Sequence, residues 1–162
     1  MKKLYLIRHA KSDWSNPSLE DFDRPLNKRG EKNAPFMATI LKQKNANPDL
    51  IISSPAYRTK KTAKLIKKGI AFKGEILYDE HLYEASLKTM LEIVNYINDD
   101  YDKVFIIGHN PTLNMLAFYL VGFNENIPTC GVLEIEFDCD SWREVNKKSS
   151  KLISFDYPKK KY

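Results

Sequence analysis

Cysteine is scarce in this sequence, which contains only Cys130 and Cys139. They are nine positions apart, which does not match a zinc-ligand spacing. Neither cysteine is followed six positions later by an arginine, as the phosphate loop of a cysteine-dependent phosphatase requires. A pair of reduced thiols in the cytoplasm is therefore expected, and cysteine-based catalysis is not predicted.

Long apolar runs are also missing. No stretch approaches the roughly 18–20 residues that cross a bilayer. At the N-terminus only four apolar residues, 4–7, precede a charge, whereas a secretory signal needs an apolar stretch of roughly 7–15 residues. The sequence thus predicts a cytoplasmic protein with no membrane partner.

The basic residues outnumber the acidic ones, but the excess is local. Lys and Arg number 26 and Asp and Glu 21, which gives a formal net charge of +5. The segment from Arg143 onward holds seven basic and two acidic residues, so the chain before it is neutral overall. Nucleic acid is therefore not a predicted partner. Residues 159–162 are expected to form a solvated basic tail.

No repeat, low-complexity segment or Pro/Gly/Ser-rich linker divides the chain. A length of 162 residues with 43% hydrophobic residues suits one domain with a substantial core. We therefore expect a single domain over residues 1–158, followed by the tail.

Three short apolar runs, residues 4–7, 50–52 and 104–107, are continuous rather than alternating. Such runs are typical of strands covered on both faces, as in a parallel sheet flanked by helices. After Gly131, apolar and acidic residues alternate up to position 138, which predicts an antiparallel strand with one face in water. Residues 152–155 are expected to form a closing strand.

Amphipathic segments with helical spacing separate these strands, at residues 34–41, 62–69, 87–97 and 113–120. Pro35 lies inside the first, so this helix is expected to begin near the proline or to kink there. The second is expected to end at Gly69 and the fourth at Gly122. The pattern predicts the α/β class, a three-layer α/β/α sandwich around a mostly parallel, mixed sheet.

Reactive side chains follow the predicted buried strands. Arg8 and His9 come at the end of the first, Arg58 shortly after the second and His109 after the third. Ligands of open α/β sheets bind beyond the carboxyl ends of the strands. An imidazole can attack phosphorus and carry the phosphoryl group, while a planar guanidinium binds two phosphate oxygens at once. These residues therefore indicate phosphoryl transfer.

The protonation state of the two imidazoles matters for this chemistry. The attacking imidazole must be neutral at its free nitrogen, and cationic neighbours favour that state. We expect a backbone carbonyl on its other ring nitrogen, which would fix the tautomer. The second imidazole can donate to a phosphoryl oxygen in the transition state.

The sequence resembles the histidine phosphatase (phosphoglycerate mutase-like) superfamily over residues 3–122. The motifs that carry the resemblance are Leu-Ile-Arg-His-Ala at 6–10, Leu-Asn-Lys-Arg-Gly at 26–30, the Ser-Ser-Pro-Ala-Tyr-Arg segment from 53 and Gly-His-Asn at 108–110. Ala10 in place of a glycine, the short chain and Asp-Arg-Pro-Leu at 23–26 are most similar to the SixA-type phosphohistidine phosphatase branch. The resemblance implies a phosphoglycerate mutase-like fold.

The same resemblance implies His9 as the nucleophile, with Arg8, Arg58 and His109 completing a phosphate pocket. Phosphate or sulfate would be expected to occupy such a pocket. Neither a metal nor a cofactor is implied.

The loop that follows the first motif contains Ser12 and Asn16, which match positions that often contact substrate in relatives. They are therefore candidate substrate-binding residues. His81 belongs to none of the motifs, and we interpret it as structural.

The general acid is less clearly marked. Glu84 resembles the carboxylate that many superfamily members place between the second arginine and the second histidine. Asp13, Asp21 and Asp23 are alternatives because they lie in the loop after His9. The imidazole that leaves phosphohistidine is a better leaving group than an alkoxide, so a carboxylate can be dispensable.

The resulting interpretation is a phosphatase that forms a phosphohistidine intermediate. By resemblance, the preferred partner is a phosphotransfer or signalling protein that bears phosphohistidine. The alternative is a small phosphorylated metabolite, such as a sugar or nucleotide phosphate, hydrolysed by the same mechanism. A mutase and a non-catalytic phosphate-binding module are less favoured interpretations.

Overall fold

The computed structural model describes residues 1–161 as an open six-stranded sheet between two helical layers. Short 3-10 turns cover Asp21–Asp23, Glu80–Leu82 and Trp142–Glu144. In chain order, the strands and α-helices are β1 (Lys2–Arg8), α1 (Lys28–Gln43), β2 (Leu50–Ser53), α2 (Tyr57–Ile70), β3 (Ile76–Tyr78), α3 (Leu87–Asn95), β4 (Lys103–Gly108), α4 (Thr112–Val121), β5 (Val132–Phe137) and β6 (Ser150–Asp156).

The sheet has the strand order β3-β2-β4-β1-β5-β6. The first four strands are parallel, whereas β5 is antiparallel to β1 and β6 is antiparallel to β5. The predicted α/β class with a mixed sheet is confirmed. β1 and β4 are neighbours, and their register pairs Arg8 with Gly108.

Both faces of the central strands are buried, which explains why their apolar runs are continuous. Leu4 and Leu6 pack into the core formed with α3 and α4. Tyr5 and Ile7 point the opposite way, into the core formed with α1 and α2. Alternate residues of one strand thus serve two separate cores.

The first helix begins earlier than the proline suggested. The side chain of Asn27 accepts a hydrogen bond from the Gly30 amide at 2.9 Å and caps α1 at Lys28. Pro35 lies inside the helix at an exposed position. The expectation that α1 starts near Pro35 is therefore wrong, because the Asn27 cap, eight residues before the proline, sets the start.

Gly69 is not the stop signal of the second helix. α2 continues to Ile70, and its cap residue Ala71 adopts the left-handed conformation with φ 57°. A Cβ on Gly69 would lie 2.3 Å from Cβ of Ala38, so the glycine allows α1 and α2 to pack closely. The expectation for α4 is confirmed, since Gly122 caps it with φ 68°.

The strand after Gly131 exists, but the first carboxylate of its predicted wet face, Glu134, is not in water, whereas Glu136 is partly exposed and Asp138 is exposed. Glu134 is buried beside β1, where its carboxylate lies 2.8 Å from Nζ of Lys3. It also accepts hydrogen bonds from Tyr5 at 3.3 Å and Ser154 at 2.9 Å. These partners stabilise a charge that the alternating pattern had placed on the surface.

The C-terminal end of the chain returns to the sheet. Lys160 donates to the carbonyl of Phe155 at 2.8 Å and lies 3.3 Å from the Asp156 carboxylate. Position 162, the last residue of the predicted tail, lies outside the described residues. Over residues 1–161, no helix is both long enough and apolar enough to span a membrane.

Candidate active site

The sheet brings the two candidate histidines together. β1 and β4 end in register, so His9 and His109, which follow them, lie side by side with ring centroids 5.4 Å apart. Arg58 enters from the first turn of α2, which follows the adjacent strand β2. These residues line one cavity of about 540 Å³ at the carboxyl edge of the parallel strands, where ligands of α/β sheets bind.

Hydrogen bonds to backbone groups fix the main chain and the ring of His9. Its amide donates to the carbonyl of Gly108 at 3.1 Å, and its carbonyl accepts from the Cys130 amide at 2.9 Å. Its Nδ1 lies 2.7 Å from the Ala10 carbonyl. Because a carbonyl only accepts, Nδ1 carries the hydrogen and Nε2 presents a lone pair. The backbone carbonyl expected from the sequence is thus present.

Burial lowers the pKa of His9 to about 3. The Ala10 carbonyl opposes this shift, whereas the nearby His109 and the guanidinium groups of Arg58 and Arg8 reinforce it. The imidazole is therefore neutral at neutral pH. A neutral ring with a free Nε2 is the form that can act as a nucleophile.

His109 has the opposite tautomer. Its Nδ1 lies 3.3 Å from an Arg58 guanidinium nitrogen, which only donates, and its Nε2 lies 2.8 Å from Oγ of Ser54. The hydrogen therefore resides on Nε2, and Nδ1 accepts. Burial, followed by the charge of Arg58, lowers the pKa of His109 to about 4, although Asp21 opposes the shift.

Three arginines line the cavity, and none has all its donors satisfied. Arg8 donates to the Ile127 carbonyl at 3.1 Å, and Arg58 donates to the Asp21 carbonyl at 2.7 Å. The Nε groups of Arg8, Arg24 and Arg58 are buried without a hydrogen-bond partner among the described residues. The cluster retains donor capacity and positive charge for an anion.

Asp21 joins two of these arginines. Its carboxylate lies 2.8 Å from Arg24 and 3.0 Å from Arg58, and it accepts a hydrogen bond from the Tyr83 hydroxyl at 2.7 Å. Partial burial opposes ionisation, but these three donors hold the pKa of Asp21 well below its usual range. Asp21 is therefore an ionised carboxylate that positions the arginines.

Glu84 lies at the rim of the same cavity, exposed and with a left-handed backbone at φ 55°. The other two alternatives lie elsewhere: Asp13 accepts a hydrogen bond from the Ser15 amide, and Asp23 is exposed in a 3-10 turn. Among the described residues, the carboxylates that line the cavity are Glu84 and Asp21.

The two candidate substrate-binding residues differ in position. Ser12 is buried, lines the cavity and accepts a hydrogen bond from Arg24. Asn16 is exposed and accepts hydrogen bonds from the amide and hydroxyl of Ser18, and it is not part of the cavity wall. His81 also lies outside this cavity, exposed and 3.0 Å from the Asp79 carboxylate.

Sequence reasoning missed several residues of the wall, including Arg24, Tyr83 and Trp14. Arg24 stacks on the exposed Trp14 ring at 3.5 Å and so places an indole at the cavity mouth. Tyr83 packs edge-on against His109, with ring centroids 5.5 Å apart. Arg24 had one available signal, because it belongs to the Asp-Arg-Pro-Leu segment that carried part of the resemblance.

Three guanidinium groups and two neutral imidazoles around one cavity define an anion site of the phosphate-binding kind. Residues 4–94 match the histidine phosphatase superfamily (branch 1), and the chain belongs to this family. An uncharacterized chloroplastic protein from Arabidopsis thaliana is 31% identical over 153 residues, covering 89% of this chain and 70% of that protein. An uncharacterized protein from Mycobacterium tuberculosis is 29% identical over 164 residues, covering 94% and 100%.

Solved structures place the chain nearer to one branch. A provisionally assigned phosphohistidine phosphatase SixA from Agrobacterium tumefaciens superposes with a TM-score of 0.84 at 28% identity, over 97% of this chain and 98% of that chain. A protein histidine phosphatase SixA complexed with tungstate shares the fold, with a TM-score of 0.84 at 17% identity over 96% and 97% of the two chains. The predicted SixA-type resemblance and phosphoglycerate mutase-like fold are confirmed, and phosphatase activity is supported.

Proposed function

We propose that this protein removes a phosphoryl group from phosphohistidine on a phosphotransfer or signalling protein, through a phospho-His9 intermediate. The observation that carries the proposal is the state of the carboxylates in the cavity. Asp21 is ionised and bound by three donors, and Glu84 is exposed on the rim. Neither is a buried general acid, and an imidazole leaving group depends less on such an acid than an alkoxide does.

In the first step, Nε2 of His9 attacks phosphorus. A bond forms between Nε2 and phosphorus while the bond from phosphorus to the substrate imidazole breaks. The electron pair of that bond stays on the departing nitrogen, which takes a proton from solvent at the open mouth. Arg8 and Arg58 hold the equatorial oxygens and stabilise their charge in the transition state.

In the second step, water attacks the phosphorus of phospho-His9. The bond to Nε2 breaks, its electron pair returns to the ring, and the proton lost by the water remains with the phosphate that leaves. Nδ1 keeps its hydrogen on the Ala10 carbonyl throughout, so His9 returns to its starting tautomer. Nδ1 of His109 can gain a proton and donate to an oxygen once the phosphate is bound.

A small phosphomonoester is the second candidate substrate. The cavity volume of about 540 Å³ falls within the range of small-molecule sites, so a sugar or nucleotide phosphate is accommodated by size. With such a substrate, Glu84 is the rim carboxylate that we assign to protonation of the leaving oxygen. The two candidates therefore differ in how strongly they depend on Glu84.

The test is phosphate release from a phosphorylated histidine-containing phosphotransfer domain, measured beside a panel of sugar, nucleotide and aryl phosphates. Each substrate is given to the wild type, His9→Ala and His81→Ala. His81 is a matched control because it is the third histidine of the chain and lies outside the cavity. We expect release from the domain with the wild type and His81→Ala, and none with His9→Ala.

Preference for one small ester, lost in His9→Ala, would keep the mechanism and change the substrate class to a metabolite. Turnover that survives in His9→Ala would overturn the mechanism itself. A phosphorylated intermediate trapped by acid quench should carry its label on His9, and label on another residue would also contradict the proposal.

A further inference from the structure

Helix α4 exposes apolar side chains beside the cavity. Met115, Phe118 and Tyr119 are 43%, 63% and 39% exposed, and their spacing of three and four residues places them on one side of the helix. The other side of α4 is buried in the core through Leu113, Leu116, Ala117 and Leu120. The exposed residues are therefore not required to attach the helix to the sheet.

These exposed residues line a groove of about 590 Å³, which we call the α4 groove, together with Leu87 and Lys147. Lys147 is its charged member, with Nζ 6.0 Å from the Tyr119 ring centroid. Met115 lines both the α4 groove and the active-site cavity. The two depressions are thus adjacent, and Met115 forms part of the wall of each.

The direction of α4 limits what can occupy both depressions. The helix begins at Thr112 in the cavity wall and runs away from it. Tyr119 lies seven residues further on, which is about 10 Å along the helix axis. A small phosphate ester bound at His9 would fill the cavity without reaching Phe118, whereas a polypeptide that carries the phosphoryl group would cover both.

We propose that the α4 groove docks the protein substrate next to its phosphohistidine. This inference rests on the proposed function and names the surface that recognises the substrate. The occupant is a folded polypeptide with an apolar side chain for the Phe118 and Tyr119 surface. Acidic side chains nearby would complement Lys147 and the cationic cavity. Apolar contact supplies affinity for the protein, while the arginines supply affinity for the phosphoryl group.

The experiment compares the wild type with Phe118→Glu and with Tyr96→Glu. Tyr96 is a matched control because it is an exposed aromatic residue, at 80%, that follows the opposite end of the neighbouring helix α3. The substrates are p-nitrophenyl phosphate, free phosphohistidine and a histidine-containing phosphotransfer domain phosphorylated with phosphoramidate. Thermal melting of each variant, and of Phe118→Ser, reports any loss of folding.

We expect Phe118→Glu to lower kcat/KM for the phosphorylated domain about tenfold, through KM, since a central apolar contact commonly contributes that much. Its turnover of p-nitrophenyl phosphate and free phosphohistidine should equal that of the wild type. Tyr96→Glu should resemble the wild type with all three substrates. Phe118→Ser should show a smaller loss confined to the domain.

Equal kcat/KM values of Phe118→Glu and Tyr96→Glu for the domain would overturn the docking inference alone. A wild type that hydrolyses p-nitrophenyl phosphate but not the domain would overturn the proposed function, and the docking inference with it. Sedimentation supplies the remaining outcome: a wild-type dimer that Phe118→Glu converts to a monomer would assign the groove to a second copy of this chain instead.

Discussion

The carboxylate of Asp21 lies 3.0 Å from the same Arg58 guanidinium nitrogen that approaches Nδ1 of His109 at 3.3 Å. One nitrogen therefore connects an acidic side chain to an imidazole of the site. An incoming phosphate would bind to a guanidinium whose direction and charge are already set by Asp21. This contact makes Asp21 a positioning residue with an electrostatic cost for anion binding.

Replacing the Asp21 carboxylate tests how much it weakens anion binding. Asp21→Asn keeps the shape of the side chain but leaves the cavity one charge more positive. We expect the dissociation constant for inorganic phosphate to fall roughly threefold to fivefold, because a half-exposed ion pair contributes at most about 1 kcal/mol. Calorimetry measures it, with Asp23→Asn, an exposed neighbouring carboxylate, as the control. Weaker phosphate binding by Asp21→Asn would contradict this account.

The protonation of the two imidazoles is open to direct observation. Burial lowers the pKa of His9 to about 3 and that of His109 to about 4. In nitrogen-15 spectra of a His81→Asn variant, both rings should remain neutral from pH 8 down to pH 5. Added phosphate should raise both pKa values, since it offsets the field of Arg58 and Arg8. A ring that titrates near pH 6.5 without phosphate would refute the prediction.

The same shifts predict acid sensitivity of the fold. A folded pKa of about 3 lies below the ordinary value of 6.5, so the unfolded chain binds the proton more tightly. The stability contributed by neutral His9 is present above pH 6.5 and is lost as the pH falls toward 3. Between pH 7 and 4.5, the expected loss from His9 is about 2–3 kcal/mol. Urea unfolding of wild type and His9→Gln measures it, and equal losses in both would exclude His9 as the cause.

Arg58 should be essential and not replaceable by a simple cation. Arg58→Ala removes a guanidinium that approaches both the cavity and His109, and kcat should fall about 10²–10³-fold. Arg58→Lys should recover little of that loss, since an ammonium cannot bind two phosphate oxygens in one plane. Steady-state kinetics with p-nitrophenyl phosphate measure kcat of both variants and of the wild type. Activity near wild type in Arg58→Ala would remove Arg58 from the site.

Glu84 separates the two candidate substrate classes. Glu84→Gln should slow hydrolysis of sugar phosphates about 10²-fold while slowing phosphohistidine hydrolysis only slightly, because imidazole needs less help to leave than an alkoxide does. Parallel measurements of kcat on the two substrates test the difference. The leaving-group argument would be wrong if both rates fell by the same factor.

The sequence predicted the parts of this molecule that depend on local pattern. Strands buried on both faces are marked by continuous apolar runs, and residues at their carboxyl ends meet because parallel strands share one edge. Arg8, His9 and His109 could be placed for that reason. β3 was not predicted, since three residues at the edge of a sheet carry little periodicity.

Features that depend on contacts between residues far apart in the sequence could not be predicted from it. The local pattern predicts that Gly69 ends a helix, but the residue is instead needed for the close packing of α2 against Ala38 on α1. Glu134 alternates with apolar residues as a solvent-facing side chain would, yet Lys3 and Tyr5 hold it inside. The position of Arg24 depends on how the loop after His9 folds back. Asn16 follows His9 closely in sequence, but the same loop carries it out to the surface.

The pairing of Arg8 with Gly108 separates two groups of cavity residues that can change independently during evolution. His9 and His109 are positioned by strand register in the middle of the sheet, whereas Trp14, Glu84 and Met115 border the cavity from loops and a helix. Substitutions at the border can alter which molecule is accepted while the distance between the two imidazoles stays constant. Proteins that descend from this one can therefore accept different substrates while the arrangement of His9 and His109 is retained.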